Sequence, residues 1–333
     1  MRITYGPWGE TLGELAAAAK AAEDAGAEAV WVPELHRSAT VSAAALAGAT
    51  TRARVGTAVA LAFTRSPMTL ALEALDLDEL SGGRFVLGLG SGVRRLNEDW
   101  HGVRWDRPVA RLRETVAAIR EFVARCGTGE PIDAPGLLIR GYRRPFPAAR
   151  DRIPVYLAAV GPAMTRLAAG IGDGWISHEL CSPDYLRDRL LPRIGEGLAG
   201  RARSDLDVVV SACCSIDEDP RAARRRAAGG VGFYATVRAY AGLFDFHGLA
   251  GEQARVVEAF RSGSGAGDLA GAVPDHMVGA LTLSGTARQV RERLRAYEGL
   301  ADTVKLTPPT HGIPAEETRH AQDRIIELIG DLT

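Results

Sequence analysis

Val155-Tyr156-Leu157-Ala158 is apolar at every position. A strand with one wet face alternates apolar and polar residues, so an unbroken apolar run implies a strand covered on both faces, as in a parallel sheet flanked by helices. Val208-Val209-Val210 repeats the pattern. Working outward from these two, eight runs bounded by turn residues are expected as strands: Arg2 to Gly6, Ala29 to Pro33, Arg54 to Leu61, Phe85 to Gly90, Pro154 to Ala159, Gly174 to Ser177, Asp207 to Ile216 and Asp302 to Thr307. Most are followed by a longer stretch with helical spacing, the pattern of repeated β-α units. The count predicts an α/β fold, a (β/α)8 TIM barrel, and a chain of 333 residues fits one such folding unit spanning 1–333.

Helix starts are legible between the strands, because an N-cap oxygen satisfies an orphaned backbone N–H and proline tolerates the first helical position. Ser66-Pro67, Ser182-Pro183 and Asp219-Pro220 fit this rule, and Thr11 with Glu14 and Thr286 with Gln289 have capping-box spacing. After Asp106, the residues Val109, Leu112, Val116, Ile119 and Phe122 form one apolar stripe. Residues 217–285 exceed what one crossover needs and are expected as a helical insertion between strands seven and eight, carrying Phe233, Tyr234, Phe244, Phe246 and Phe260. Within it, the composition of Arg261 to Asp268 fits a mobile loop over the site or a passive connector.

Composition narrows the function. A net charge of -1 with 24% charged residues gives no electrostatic reason to bind nucleic acid or an anionic membrane, and small-molecule chemistry is the expectation. Cys126, Cys181, Cys213 and Cys214 lack C-x-x-C spacing, and neighbouring Cys213 and Cys214 would point to opposite strand faces, so neither a disulfide framework nor a zinc site is expected. No metal is expected elsewhere. The N-terminus lacks the features of a secretory signal and no segment stays apolar long enough to span a bilayer, which predicts a cytoplasmic protein.

In a barrel of this kind the active site lies at the C-terminal ends of the strands. His36 follows strand two and can exchange a proton near neutral pH, or bind a backbone carbonyl structurally. His178 and Glu179 end strand six and share one face; strand-end polar residues of this kind also orient loops. Strand eight carries Lys305 and is followed by His311, a candidate for the substrate pocket in the rigid run Pro308-Pro309-Thr310-His311-Gly312. Trp8, beyond strand one, offers an aromatic face for a flat ring or for core packing. The turn Gly88-Leu89-Gly90-Ser91-Gly92 lets backbone N–H groups approach an anion, with Ser91 adding a hydroxyl; Val93 breaks the dinucleotide fingerprint. Strand five ends at Ala159, and Gly161-Pro162-Ala163 opens the next helix as a second anion-friendly turn. Both turns also answer to tight local geometry alone.

Ala22-Glu23-Asp24-Ala25-Gly26, Val30-Trp31-Val32-Pro33-Glu34, Leu80 to Gly92 and Gly170-Ile171-Gly172-Asp173-Gly174-Trp175 together resemble the luciferase-like monooxygenase superfamily, across nearly the whole chain. The resemblance implies a barrel, frequently dimeric, that binds FMN or F420 at the strand ends with the phosphate on the turns after strands four and five. Gly56 to Leu61 with Arg65-Ser66-Pro67 is similar to the F420-dependent branch, which implies a non-proline cis peptide at Ala58-Val59 against the deazaflavin ring and a proton-transfer role for His36. The expectation is therefore an F420-dependent oxidoreductase acting on a small molecule as a homodimer. An FMN-dependent monooxygenase and a non-catalytic ligand-binding barrel are the alternatives. Val93 and Leu35 stand where the sugar-phosphate dehydrogenases of this branch carry carboxylates, so glucose 6-phosphate is not the expected substrate.

Overall fold

The strands run β1 (Arg2–Tyr5), β2 (Ala29–Val32), β3 (Arg54–Thr57), β4 (Ala60–Leu61), β5 (Phe85–Gly90), β6 (Ile132–Ala134), β7 (Ile139–Tyr142), β8 (Val155–Ala158), β9 (Gly174–Ile176), β10 (Asp207–Ile216), β11 (Leu283–Gly285) and β12 (Thr303–Thr307). This computed structural model describes residues 1–126, 128, 130–134, 139–263 and 268–332. Eight strands pair in parallel in the order β1, β2, β3, β5, β8, β9, β10, β12, and β12 returns to β1 with Arg2 opposite Thr303 and Tyr5 opposite Leu306. The sheet closes into the expected (β/α)8 barrel.

The helices are α1 (Leu12–Asp24), α2 (Ala39–Ala49), α3 (Pro67–Leu80), α4 (Pro108–Cys126), α5 (Pro162–Ile171), α6 (Pro183–Tyr185), α7 (Leu191–Leu198), α8 (Pro220–Ala235), α9 (Ala241–Phe246), α10 (Ala250–Arg261), α11 (Asp275–Leu281), α12 (Ala287–Arg295) and α13 (Ala315–Gly330). Ser66, Ser182, Asp219 and Thr286 cap α3, α6, α8 and α12, the last as a complete capping box with Gln289. At α1 the box is half formed: Thr11 accepts from the Glu14 amide, but the Glu14 carboxylate turns to the amide of Glu10. Among the described residues, no helix is long and apolar enough to cross a membrane.

The unbroken apolar strands serve two cores at once. On β8, Val155 and Leu157 face the helices while Tyr156 and Ala158 face the barrel interior, and on β2 Val30 and Val32 face out while Ala29 and Trp31 face in. Trp31 and Tyr156 fill the interior, with centroids 5.8 Å apart. The strand beside each aromatic carries glycine for want of space: a Cβ on Gly56 would meet the Trp31 ring at 2.3 Å, and one on Gly174 the Tyr156 ring at 2.5 Å. Below them the N-terminal end is closed by Asp207, which accepts from Tyr156 and Thr303 and pairs with Arg2 at 2.7 Å. The open mouth is at the other end. Cys213 and Cys214 face opposite sides of β10, the first toward Glu179 in the mouth and the second toward Arg293 outside; all four cysteines are buried thiols.

Three local readings are corrected. The third strand is not continuous from Arg54 to Leu61; the chain leaves the ladder at Ala58 and Val59 and re-enters as β4, paired with β5. An antiparallel hairpin of β6 and β7 follows α4, where short, charge-interrupted sequence gave no periodic signal. Between β10 and β12 the chain is mostly helical, as expected for 217–285, but it also holds β11, which pairs in parallel with the outer end of β10. Ser264 to Gly267, the heart of the anticipated loop, lie outside the described residues.

Two residues of the sequence motifs converge on one turn. The buried Glu23 carboxylate accepts from the backbone amides of Thr51, Arg52 and Ala53, while Arg84 donates to the carbonyls of Ala47, Thr50, Ala53 and Ser81. Together they fix the passage from α2 into β3. Burial pushes the Glu23 carboxyl up, but the three amides outweigh it and hold its pKa below the ordinary 4.5. Its stabilisation is therefore complete above that value and is lost as pH falls through the lower folded-state value. Glu23→Ala is expected to lower unfolding free energy by about 2–3 kcal/mol in urea melts at pH 7, since it strands buried donors. The gap between variant and parent should narrow as the medium is acidified below pH 4.5; a constant gap would show that the carboxylate is not the stabilising species.

Candidate active site at the mouth of the barrel

The floor of the mouth is the irregular step between β3 and β4. The Ala58–Val59 peptide is cis, at the position the resemblance implied. Glu34 organises it: its backbone amide donates to the Val59 carbonyl at 3.0 Å, and its carboxylate accepts from the Leu61 amide at 2.8 Å. Arg65 forks onto the same carboxylate and reaches Glu73 at 3.3 Å. Burial alone would raise the Glu34 pKa, but the Arg65 and Leu61 donors hold it below the ordinary range. Val59 then leans on β5 so closely that a Cβ on Gly90 would lie 2.5 Å from its Cγ2. Ala58, Val59 and Ala158 are half-buried on top of the interior layer, leaving a small apolar shelf.

Beside the shelf the glycine turn is tied down from within. Gly92 adopts a left-handed φ of 67°, and buried Asn97 donates to the carbonyls of Ser91 and Val93, both at 3.0 Å. The Ser91 hydroxyl donates to the Gly92 carbonyl at 3.2 Å, so the turn uses it internally. Ala159 is likewise engaged: its amide donates to Ile176 and its carbonyl accepts from the Trp175 indole.

Gly161 is different. It caps α5 with no side-chain hydrogen bond, Pro162 has no N–H to offer, and the space around Gly161 is open, so the amides of Ala163 and the next residue head an uncapped helix. A cavity of about 360 Å³ lies against this turn and is lined also by Arg189, Arg193 and Phe246. The two arginines, brought in by the segment around α6 and α7, escaped the sequence reading because nothing local marks them.

On the opposite side of the mouth stand His178, Glu179, Lys305 and His311, joined by rings from the β10–β12 segment. Lys305, only 4% exposed on β12, lies 3.8 Å from Glu179. The Tyr234 hydroxyl donates to the other Glu179 oxygen at 3.3 Å. Burial raises the Glu179 pKa, but the Lys305 ammonium, then His178 and His311, and the Tyr234 hydrogen bond reverse it, and the carboxyl ends below its ordinary range. Burial lowers Lys305, with Glu179 opposing. His178 is pushed down to about 4 by burial, despite the nearby Glu179 charge. Its ring contacts Tyr240 at 3.9 Å and Tyr234 at 4.1 Å, while His311 stacks on Phe233 at 4.5 Å. Tyr234 and Tyr240 were not singled out in the sequence as site residues; their aromatic spacing in a helical stretch reads as core.

His36 is exposed on the rim after β2, within electrostatic reach of His311, whose pKa burial lowers, Glu179 raises and His36 lowers again. The structure thus brings His36, His178, Glu179 and His311 to one end, with Gly90, Ala58 and Gly161 on the same rim. Trp8 is held elsewhere on that end: its amide donates to Gln322 and its ring lies under Arg319, both on α13.

The luciferase-like monooxygenase family profile matches residues 2–303. The 5,10-methylenetetrahydromethanopterin reductase of Methanolobus tindarius is 31% identical over 323 residues, covering 94% of this chain and 93% of the reductase. Among solved structures, the coenzyme F420-dependent tetrahydromethanopterin reductase of Methanopyrus kandleri superposes with a TM-score of 0.80 at 22% identity, covering 99% of this chain and 98% of that one. The oxygenating constituent of 3,6-diketocamphane monooxygenase from Pseudomonas putida, a type II Baeyer-Villiger monooxygenase in complex with FMN, gives 0.67 at 18% identity over 99% and 97%. At these identities the two structures speak to the fold alone.

The burial of His178 has a pH consequence. Its folded-state value of about 4 lies below the ordinary 6.5, so the neutral ring favours the folded state above 6.5, and this contribution declines as pH falls from 6.5 toward 4. In histidine-labelled protein followed by NMR, the His178 ring should keep neutral-imidazole shifts down to about pH 5.5. A midpoint near 6.5 would mean the ring is solvated rather than buried.

Proposed function

The chain belongs to the luciferase-like monooxygenase family, and from that premise we propose that it is an F420-dependent oxidoreductase acting on a small organic substrate. The observation that carries this reading is the pairing of an apolar shelf at Ala58 and Val59 with an open, uncapped helix start at Gly161 on the same rim. A flat ring needs the first and a phosphate the second. The glycine at position 90 and the bare Gly161 cradle fit such a group, since a side chain at position 90 would collide with Val59, while the space in front of Gly161 is open to a guest. The resemblance of Gly56 to Leu61 with Arg65-Ser66-Pro67 to the F420-dependent branch favours the deazaflavin over FMN.

In this reading Gly161, Pro162 and Ala163 hold the phosphate end, with Arg189 and Arg193 supplying charge beside it. Ala58, Val59, Gly90, Ser91, Gly92 and Ala159 shape the floor, the last three through backbone position, and Trp8 closes the rim on the α13 side. When bound, the deazaflavin supplies a two-electron hydride donor or acceptor. His36 moves the accompanying proton at its imidazole, where exposure allows exchange with solvent. His178 and Glu179 act on the substrate side, where Lys305 keeps the Glu179 carboxylate ionised, and His311 borders the substrate pocket. Phe233, Tyr234 and Tyr240 cover this side and limit water access. A cytoplasmic homodimer belongs to the same reading.

Fluorescence titration of the purified protein with F420 and with FMN tests the cofactor. F420 should bind in the micromolar range or tighter. Tight FMN binding without F420 binding, together with oxygen consumption when FMN is reduced, would favour the monooxygenase alternative. His36→Ala is expected to lower kcat about 10²-fold or more with the F420 Kd unchanged; unchanged turnover would remove His36 from the chemistry.

A further inference from the structure

His178 carries more information than its position. The backbone amide of Leu180 donates to its Nδ1 at 3.2 Å. An amide N–H can only donate, so Nδ1 is the unprotonated nitrogen and the proton of the neutral ring sits on Nε2. Nε2 is buried and has no hydrogen-bond partner among the described residues. A buried donor left alone costs about 1–3 kcal/mol, and of the nine buried, unpartnered side-chain polar atoms among the described residues this one belongs to the ring held between Tyr234 and Tyr240 at the mouth.

The surroundings indicate what would meet it. Tyr240 lies across the imidazole at 34° and Tyr234 meets it edge-on at 84°. Phe233 packs against Tyr234 at 5.2 Å and stacks on His311 at 27°. These rings give a wall of flat apolar surface whose polar edge holds the Glu179–Lys305 pair. Aromatic walls favour flat, conjugated guests, and a fixed polar group sets their orientation.

We propose that the Nε2–H of His178 is a specificity-determining hydrogen-bond donor to the substrate, and that the site takes a flat, ring-bearing molecule with a carbonyl-type acceptor. This deepens the oxidoreductase reading and rests on it for the identification of the mouth as the substrate site. His178 then acts as a neutral donor that keeps its proton, as suits a group aimed at an oxygen where negative charge gathers during reduction. The ammonium of Lys305 is occupied by Glu179, which leaves a neutral acceptor better matched than an anion.

The test uses full-length protein and three probes: 1-indanone, with flat ring and carbonyl; indane, with the ring alone; and cyclopentanone, with the carbonyl alone. In calorimetric titrations 1-indanone should bind at least tenfold more tightly than either. His178→Phe, which keeps a ring and deletes the N–H, should weaken 1-indanone roughly tenfold and leave indane unchanged, while Tyr240→Leu should weaken both ring compounds. In wild-type protein, long-range proton–nitrogen NMR should show the Nε2 resonance of His178 shifting when 1-indanone is added, which keeps the proposal testable if His178→Phe does not fold. Equal affinity for cyclopentanone, undiminished binding by folded His178→Phe, or a silent Nε2 resonance at saturation would overturn it. F420 titration of the same samples separates the two levels: retained F420 binding with no 1-indanone preference ends the substrate assignment alone, whereas loss of F420 binding by the wild-type protein ends the broader reading.

Discussion

Closure of the sheet through the β12–β1 ladder is the constraint on which everything at the mouth depends. His36 follows β2, whereas His178 and Glu179 follow β9, four strand steps away through β3, β5 and β8. At about 4.8 Å per strand an open sheet would separate them by roughly 19 Å. The barrel bends that row until both Glu179 and His36 act on His311. Closure is possible because each barrel strand buries both faces, and the interior accepts Trp31 and Tyr156 only where glycine stands beside them. The two-faced burial visible in Val155 to Ala158 is therefore also the reason the catalytic candidates meet.

The Glu179–Lys305 pair is the least economical feature of the mouth in terms of stability. Burying the Lys305 ammonium costs several kcal/mol, and its attraction at 3.8 Å to the half-buried Glu179, which Tyr234 also binds, offsets that cost. The chain otherwise avoids lysine, having only Lys20 and Lys305 against its many arginines. A guanidinium would fork bidentately onto Glu179 and consume both of its oxygens, whereas the compact ammonium leaves one for Tyr234. That difference gives a physical reason for lysine at this one buried position.

The barrel was legible because its signal is repetitive and local: eight apolar runs, most with a capped helix behind them, recovered the strands to within a residue or two except at Ala58 and Val59. The residues alone passed over that step, which only the resemblance placed, because Ala and Val there are as strand-like as their neighbours and the departure is imposed from outside by Glu34 and Arg65. The strongest motif residues proved to be clamps. Glu23 and Arg84 secure one turn, and Asp173 accepts from the Val155 amide and pairs with Arg120. They announce the family because the fold needs them, and for the same reason they say little about chemistry. Polar residues at strand ends pointed to the mouth; Tyr234, Tyr240, Arg189 and Arg193 stayed hidden because their roles come from long-range packing.

The two sides of the mouth differ in kind, and the difference follows from what each would have to do. Along β3, β5 and β8 the positions at the rim are Ala58, Val59, Gly90, Ala158 and Gly161, small residues whose value is that backbone and flat surface can be approached closely. Along β9, β10 and β12, with α8 and the following turn, the positions are His178, Glu179, Tyr234, Tyr240, Lys305 and His311, large groups that fill space and hold charge. A cofactor shared across a family asks for a conserved shape of backbone, and small residues supply it at the places where helix starts and bulges already lie. A substrate peculiar to one member asks for side chains, which can change without disturbing the ladder beneath them. The inserted segment brings Phe233, Tyr234 and Tyr240 to the second side and Phe246 to the cavity beside Gly161, so it borders both sides through side chains that leave the ladder beneath them undisturbed.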